Sequence, residues 1–173
     1  MHDTQPNGNE QDASHDPDYL IRELRQDETE VLDTFLYEAI FIPEGTEPLP
    51  KEFIALPELQ IYIKDFGKNK GDHCLVAEAD GKIVGAVWVR IIEDYGHVDD
   101  ETPSFSISLL KEYRNRGIGT ELMKRMLQEL RKQGYKQASL SVQKINYASK
   151  MYQKIGFEIL EEREQDHVMI YRL

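Results

Sequence analysis

Apolar residues recur along most of this chain with a period near two or near 3.6, and where both periods lapse the chain is polar or is broken by proline and glycine. Tyr19 to Arg25 (YLIRELR) is a short, imperfectly alternating run and predicts a first strand. Asp27, with Glu30 three residues on, has the form of a capping box. Val31, Leu32, Phe35, Leu36, Ala39 and Ile40 follow at helical spacing, so an amphipathic helix is expected. Pro43, Gly45, Pro48 and Pro50 then interrupt the chain, and Leu59 to Phe66 with Gly67 behind it reads as a second helix closed by glycine. His73 to Ala79 and Lys82 to Ile92 flank Asp80-Gly81 and predict a β-hairpin, in which Gly85 marks a bulge or a close approach by another element.

Ser104 to Leu109 alternates strictly, with Phe105, Ile107 and Leu109 on one face and three serines on the other, as a strand does. Gly117 to Gln133 carries Leu122, Met123, Met126, Leu127 and Leu130 on one helical stripe, with Gly134 as the stop. A strand over Ala138 to Val142, a helix from about Asn146 to Ile155 capped by Gly156, and strands near Phe157–Glu162 and Val168–Leu173 complete the series. The order βααβββαβαββ predicts an α/β (α+β) fold, a mixed and mostly antiparallel sheet with helices on both faces. The strands at 104–109 and 138–142 are its candidate parallel pair, joined by a right-handed crossover.

Composition narrows the class. A chain of 173 residues that is 40% apolar and 31% charged suits one globular domain, expected over 19–173. Residues 1–18 hold five acids, no Lys or Arg and almost nothing apolar, and are expected to form a disordered acidic tail. Net charge is −11, and −6 remains without that tail, which argues against nucleic acid or an anionic membrane as partner. The lone cysteine, Cys74, leaves no disulfide framework, the few Cys and His suggest no metal site, and the hairpin position reads as a small apolar residue rather than a nucleophile. No run approaches a membrane span and the first residues lack a signal-peptide pattern, so a cytoplasmic protein is expected.

The stretch with chemistry in it is Tyr113-Arg114-Asn115-Arg116-Gly117-Ile118-Gly119-Thr120, between a strand and a helix. Two glycines let backbone approach a ligand, and the helix start supplies unpaired N–H groups of partial positive charge, the natural site for a phosphate. Arg114 and Arg116 suit it to pyrophosphate. A dinucleotide fingerprint would need glycine where Leu122 stands, and the Gly-Lys-Ser/Thr of a Walker loop is absent.

With Arg114, Gly117 and Gly119 in the pattern Arg/Gln-x-x-Gly-x-Gly/Ala, and Leu140-Ser-Val followed by Asn146, Ala148, Tyr152, Gly156 and Phe157, the sequence resembles the GNAT superfamily, the Gcn5-related N-acetyltransferases. The resemblance implies a sheet whose strands at 104–109 and 138–142 splay apart to admit acetyl-CoA, or another short acyl-CoA, as co-substrate. It implies that Ile107, Ser108 and Leu109 offer backbone groups to the pantetheine, that Asn115, Arg116, Gly117, Ile118, Gly119 and Thr120 hold the pyrophosphate, and that the Asn146 side chain meets the cofactor. Tyr152 matches the position of a general acid for the departing thiolate, a role that competes with simple packing on its helix face. Some family members carry a Glu where Ser141 stands here. The base is then sought in the acidic run Glu93, Asp94, Asp99, Asp100 and Glu101, with Glu101 nearest the strand and His97 a second candidate, against the reading of a solvated acidic loop. Phe41 to Pro50, with Glu44 and Glu47 near Tyr37, Phe41 and Tyr62, suits either an anionic, aromatic mouth for a small-molecule or peptide amine or a plain surface loop. The implied activity is direct transfer of an acyl group to a primary amine. The alternative is a non-catalytic acyl-CoA-binding or interaction module on the same fold. A homodimer is possible in such a family.

Overall fold

Two apolar faces of one sheet organise the molecule. The computed structural model describes residues 18–173, so the expected tail lies, apart from Asp18, outside the described residues. Seven strands, β1 (Tyr19–Glu23), β2 (His73–Ala79), β3 (Lys82–Arg90), β4 (Ser104–Leu109), β5 (Gln137–Gln143), β6 (Glu158–Glu162) and β7 (Asp166–Arg172), pair in the order β1-β2-β3-β4-β5-β7-β6. Every pairing is antiparallel except β4 with β5. Helices α1 (Val31–Ala39) and α2 (Pro57–Gln60) belong to one face, where Leu32, Phe35, Leu36 and Ile63 bury Cys74, Val76, Ala86 and Trp88. Helices α3 (Ile118–Lys132) and α4 (Ala148–Ile155) cover the other, where Leu122, Met123, Met126 and Tyr152 meet Val87, Phe105, Leu140 and Met169. The alternation of β4 and the 3.6-residue stripe of α3 are both realised. No helix among the described residues is long and apolar enough to cross a membrane.

Two expected elements differ. The capping box at Asp27 and Glu30 does not form: α1 begins behind a 3₁₀ turn at Gln26–Glu28, and Glu28 accepts the Arg25 N–H at 2.9 Å. A stronger partner fixes this register, for the Arg22 guanidinium donates to both Glu28 oxygens at 2.8 Å and to Glu78 at 2.8 Å. The Arg22 hydrogen bonds, and next the Arg25 N–H, hold the Glu28 carboxyl down at about 2. A carboxylate lowered in the folded state stabilises above its unfolded value and loses that contribution as pH falls. The Glu28 carboxyl resonance is therefore expected to titrate near pH 2 in the folded chain, with the Arg22 link failing only across that acidic range.

The second helix is expected over Leu59–Phe66 but ends at Gln60, and residues 61–67 continue as turns. Its carbonyls are claimed by the sheet. Trp88 Nε1 donates to Tyr62 O at 3.1 Å and Arg90 to Ile61 O at 3.0 Å, while Asp65 takes a positive φ of 53°. Arg90 in turn clasps Asp72 through two hydrogen bonds of 2.9 and 3.0 Å, both side chains being almost wholly buried.

Candidate active site

The parallel pair is joined at one place only. Ser104 opposes Ser139, the Ser139 N–H donates to Pro103 O at 2.9 Å, and no further β4–β5 register follows. On its other side β4 is bound to β3 along its length, and Leu110 N–H donates to Val84 O at 2.8 Å. Backbone groups alternate along a strand, so the even residues of β4 point to β3 and the odd ones to β5. Ile107 and Leu109 thus face the seam where β4 and β5 part. Ser108 does not: its backbone belongs to the β3 ladder opposite Ala86, and its hydroxyl donates to Phe35 O at 2.6 Å on the α1 side.

Beyond the end of β4 the chain makes a tight, partly left-handed turn, with Asn115 at φ +62° and Gly117 at φ +83°. Gly117 is the N-cap of α3, no side chain caps that end, and the first N–H bonded back into the helix is that of Glu121, to Gly117 O at 3.1 Å. The N–H groups of Ile118, Gly119 and Thr120 are therefore the orphan donors of the helix start. Asn115, Arg116 and Gly117 are exposed, and Ile118 and Gly119 are buried. Successive N–H groups on a left-handed turn form an anion-binding concavity, which the helix dipole reinforces. Gly119 sits where α3, β4 and α4 converge, since a methyl in place of its hydrogen would lie 3.4 Å from Leu109, 3.9 Å from Ile107 and 3.9 Å from Met151 Sδ.

The two arginines divide. Arg114 donates to Leu109 O at 3.0 Å and to Glu38 of α1 at 2.9 Å, so it fastens the turn to the strand end. Arg116 has no ion pair or hydrogen bond among the described residues and is the cation left facing outward. Asn146 uses its Oδ1 to accept the Ala148 N–H at 2.9 Å, opening α4. Tyr152, on the core side of α4, is 9% exposed and packs edge-on against Phe157 at 6.1 Å. Its hydroxyl has no hydrogen-bond partner among the described residues, and burial alone pushes the phenol up to about 12. Cys74 is buried under α1, and burial raises its thiol so far that it stays protonated.

The acidic run is not uniform. Glu101 is exposed and donates its N–H to Asp99, whose carboxyl is held below its usual value by the Thr102 hydroxyl and that N–H. Asp94, by contrast, is folded in against β4. His97 keeps its ring against Ile92 O, with Nδ1 at 2.9 Å. Glu44 and Glu47 are exposed, in a loop fastened to α1 by Tyr37, whose hydroxyl donates to Leu49 O at 2.7 Å. Nothing local in the sequence marks Glu38, which fastens the turn through Arg114, or Met151, which packs beside Gly119; for Gly96, against Ser104 and Ser141, a glycine inside an acidic loop is the one local signal.

A seam in a mixed sheet beside an uncapped glycine turn at a helix start is the arrangement that the resemblance to the GNAT acetyltransferases implied, and the chain belongs to that family: the model described as "Acetyltransferase (GNAT) family" matches residues 20–157. Among relatives, a segment of 96 residues is 32% identical to human N-acetyltransferase 8B, covering 55% of this chain and 42% of that protein. A segment of 84 residues is 34% identical to the probable N-acetyltransferase camello of Xenopus tropicalis, covering 48% of this chain and 37% of that one. The chain thus spans less than half the length of these relatives. In fold it is similar to the PaiA N-acetyltransferase of Thermoplasma acidophilum, solved with coenzyme A, at a TM-score of 0.67 and 22% identity over 90% of this chain and 99% of that one. A putative acetyltransferase of Salmonella typhimurium, solved with acetyl-CoA, reaches 0.64 at 17% identity over 90% of this chain and 94% of that one.

Proposed function

We propose that this domain transfers the acetyl group of acetyl-CoA directly to a primary amine in a ternary complex. The observation that carries the reading is the end of the seam: the uncapped N–H groups at Ile118–Thr120 lie beside the odd-numbered β4 residues Ile107 and Leu109, whose backbone is turned away from β3, and Gly119 brings α3, β4 and Met151 of α4 together there. Asn115 to Thr120 and Arg116 would hold the pyrophosphate, and Ile107 and Leu109 the pantetheine amides. Arg114 and Asn146 support this set by fixing the turn and the start of α4.

Tyr152 is the proton donor to the leaving sulfur in this reading. A phenol kept protonated by burial is in the right state at neutral pH, and a thiolate is basic enough to take its proton. Tyr152→Phe is expected to leave acetyl-CoA binding intact in calorimetric titration and to lower kcat by about 10²–10⁴-fold in thiol release, because the ring packing is kept and only the proton is removed. An unchanged kcat would remove Tyr152 from the chemistry and leave it a packing residue against Phe157.

Glu101, exposed in the turn before β4, would take the amine's proton only through water. The non-catalytic module draws its support from Ser141, which puts no acid on β5. Acetyl-CoA binding without thiol release in the presence of any amine would favour it. Glu44 and Glu47, exposed in the loop after α1, would favour a cationic acceptor.

A further inference from the structure

On the α1/α2 face of the seam one buried oxygen is left without a well-aligned partner. Asp94, in the connection between β3 and β4, accepts the Ser104 hydroxyl on Oδ2 at 2.8 Å. Its Oδ1 is fully buried and has no well-aligned hydrogen-bond partner, the one such side-chain atom among the described residues, although the Asp94 and Gly96 N–H groups act on the carboxylate from close by. Buried polar atoms in a folded chain are nearly always paired, and one that is not is a place to expect a ligand.

The position of that oxygen is specific. Ser104 is the β4 residue of the only β4–β5 pair, so the carboxylate stands where the two strands begin to part. Two residues on, a methyl at Gly96 would lie 3.1 Å from the Ser141 nitrogen and 2.7 Å from the Ser104 hydroxyl, and Gly96 O accepts the Ser139 hydroxyl at 2.6 Å. The turn carrying Asp94 therefore lies across the seam on the face opposite α3 and α4. Tyr62, in the turns after α2, faces the same carboxylate; burial first, and then the charge of Asp94, pushes its phenol well above its ordinary range. Trp88 and Arg90 hold the Tyr62 and Ile61 carbonyls, so this wall is rigid. His97, on the Asp94 loop, is the basic group nearby.

We propose that Asp94 is the acceptor-binding and proton-accepting group of this domain, receiving a primary ammonium from the α1/α2 face while the acyl thioester lies against β4 from the α3 side. The inference rests on the acyltransferase reading above. An ammonium brings three donors to a carboxylate oxygen that lacks a well-aligned one. Burial raises the Asp94 carboxyl above its ordinary value, against the Ser104 and backbone hydrogen bonds, making it a better base than the lowered Asp99 of the same connection. In the step, the nitrogen lone pair forms the C–N bond and the C–S bond breaks. Two protons leave the ammonium: one replaces the proton that Tyr152 gives the sulfur, and the other passes through Asp94 to water.

The test is thiol release from acetyl-CoA with butylamine, glycinamide and a lysine-containing tripeptide, run across pH on the wild type, Asp94→Asn and Ser104→Ala, with calorimetric acetyl-CoA binding alongside. Asp94→Asn is expected to bind acetyl-CoA as the wild type does and to lose about 10²–10⁴-fold in kcat. Ser104→Ala removes a bond to the charged carboxylate, so the acidic limb of its profile is expected to move to higher pH with the plateau largely kept. An Asn variant with wild-type kcat and pH profile, or an unmoved limb in Ser104→Ala, would overturn this inference and leave the acyltransferase reading standing. Acetyl-CoA binding by the wild type with no transfer to any of the three amines would overturn both.

Discussion

Gly117→Glu is expected to abolish acetyl-CoA binding while the domain stays folded. Nothing lies within 4 Å of a methyl at this position, so the new side chain meets no steric obstacle, and only the left-handed φ of +83° is strained. That strain costs about 1–2 kcal/mol of stability, a minor part of the 5–15 kcal/mol typical of a domain. The carboxylate, however, would stand at the helix start and claim the N–H groups of Ile118 to Thr120, as an acidic cap does, while repelling a pyrophosphate. Gly117→Ala carries the same backbone strain without the charge and serves as the control. Calorimetric titration with acetyl-CoA is expected to show a modest loss for Ala and at least a hundredfold loss for Glu, about 2.8 kcal/mol at 1.4 kcal/mol per decade. Equal losses in the two would mean that backbone shape, not the orphan donors, governs the turn.

Asp72→Ala is expected to be the most destabilising single change in the molecule. Arg90 is 4% exposed and Asp72 not at all, and Asp72 also accepts the N–H groups of Gly67 and Asn69 at 3.0 and 3.2 Å. Removing one member of a buried ion pair leaves the other charge without compensation, at a cost of about 3–5 kcal/mol. Chemical denaturation is expected to show that loss as a lowered midpoint with an unchanged slope. The combination Asp72→Leu with Arg90→Met is expected to recover part of it, because an apolar pair of similar volume leaves no buried charge. The loss reaches the site as well: Arg90 holds Ile61 O and stacks on Phe66 at 5.3 Å, so the wall that carries Tyr62 loosens with it.

Much of the fold was legible because its elements obey local rules. β4 runs from Ser104 to Leu109 as its alternation predicts, and α3 stops at the glycine placed to stop it. The failures share a cause. α2 ends at Gln60 because Trp88 and Arg90, both distant in sequence, take the carbonyls a longer helix would have used. The cap at Glu28 rather than Asp27 was decided by Arg22 on another element. The glycine turn was readable from spacing alone, yet the division of labour between Arg114 and Arg116 was not, since nothing local announces that Glu38 lies within 2.9 Å of Arg114. Within the acidic run, distance along the chain pointed to Glu101, whereas burial singles out Asp94.

A sheet held together by one rung at its middle has four edges instead of two, and each invites a foreign strand. The outer edge at β6 is guarded by Glu158, Glu161 and Glu162, whose like charges repel a second copy. The inner edges carry no such guard, since Ile107, Leu109, Leu140 and Val142 are apolar. They are instead walled in, by the Gly96 turn at the closed end and by Gly119 and Met151 above Ile107 and Leu109. Covered in this way, the inner edges are less open to a foreign strand than a bare sheet edge, so parting the two strands does not leave the seam a template for aggregation.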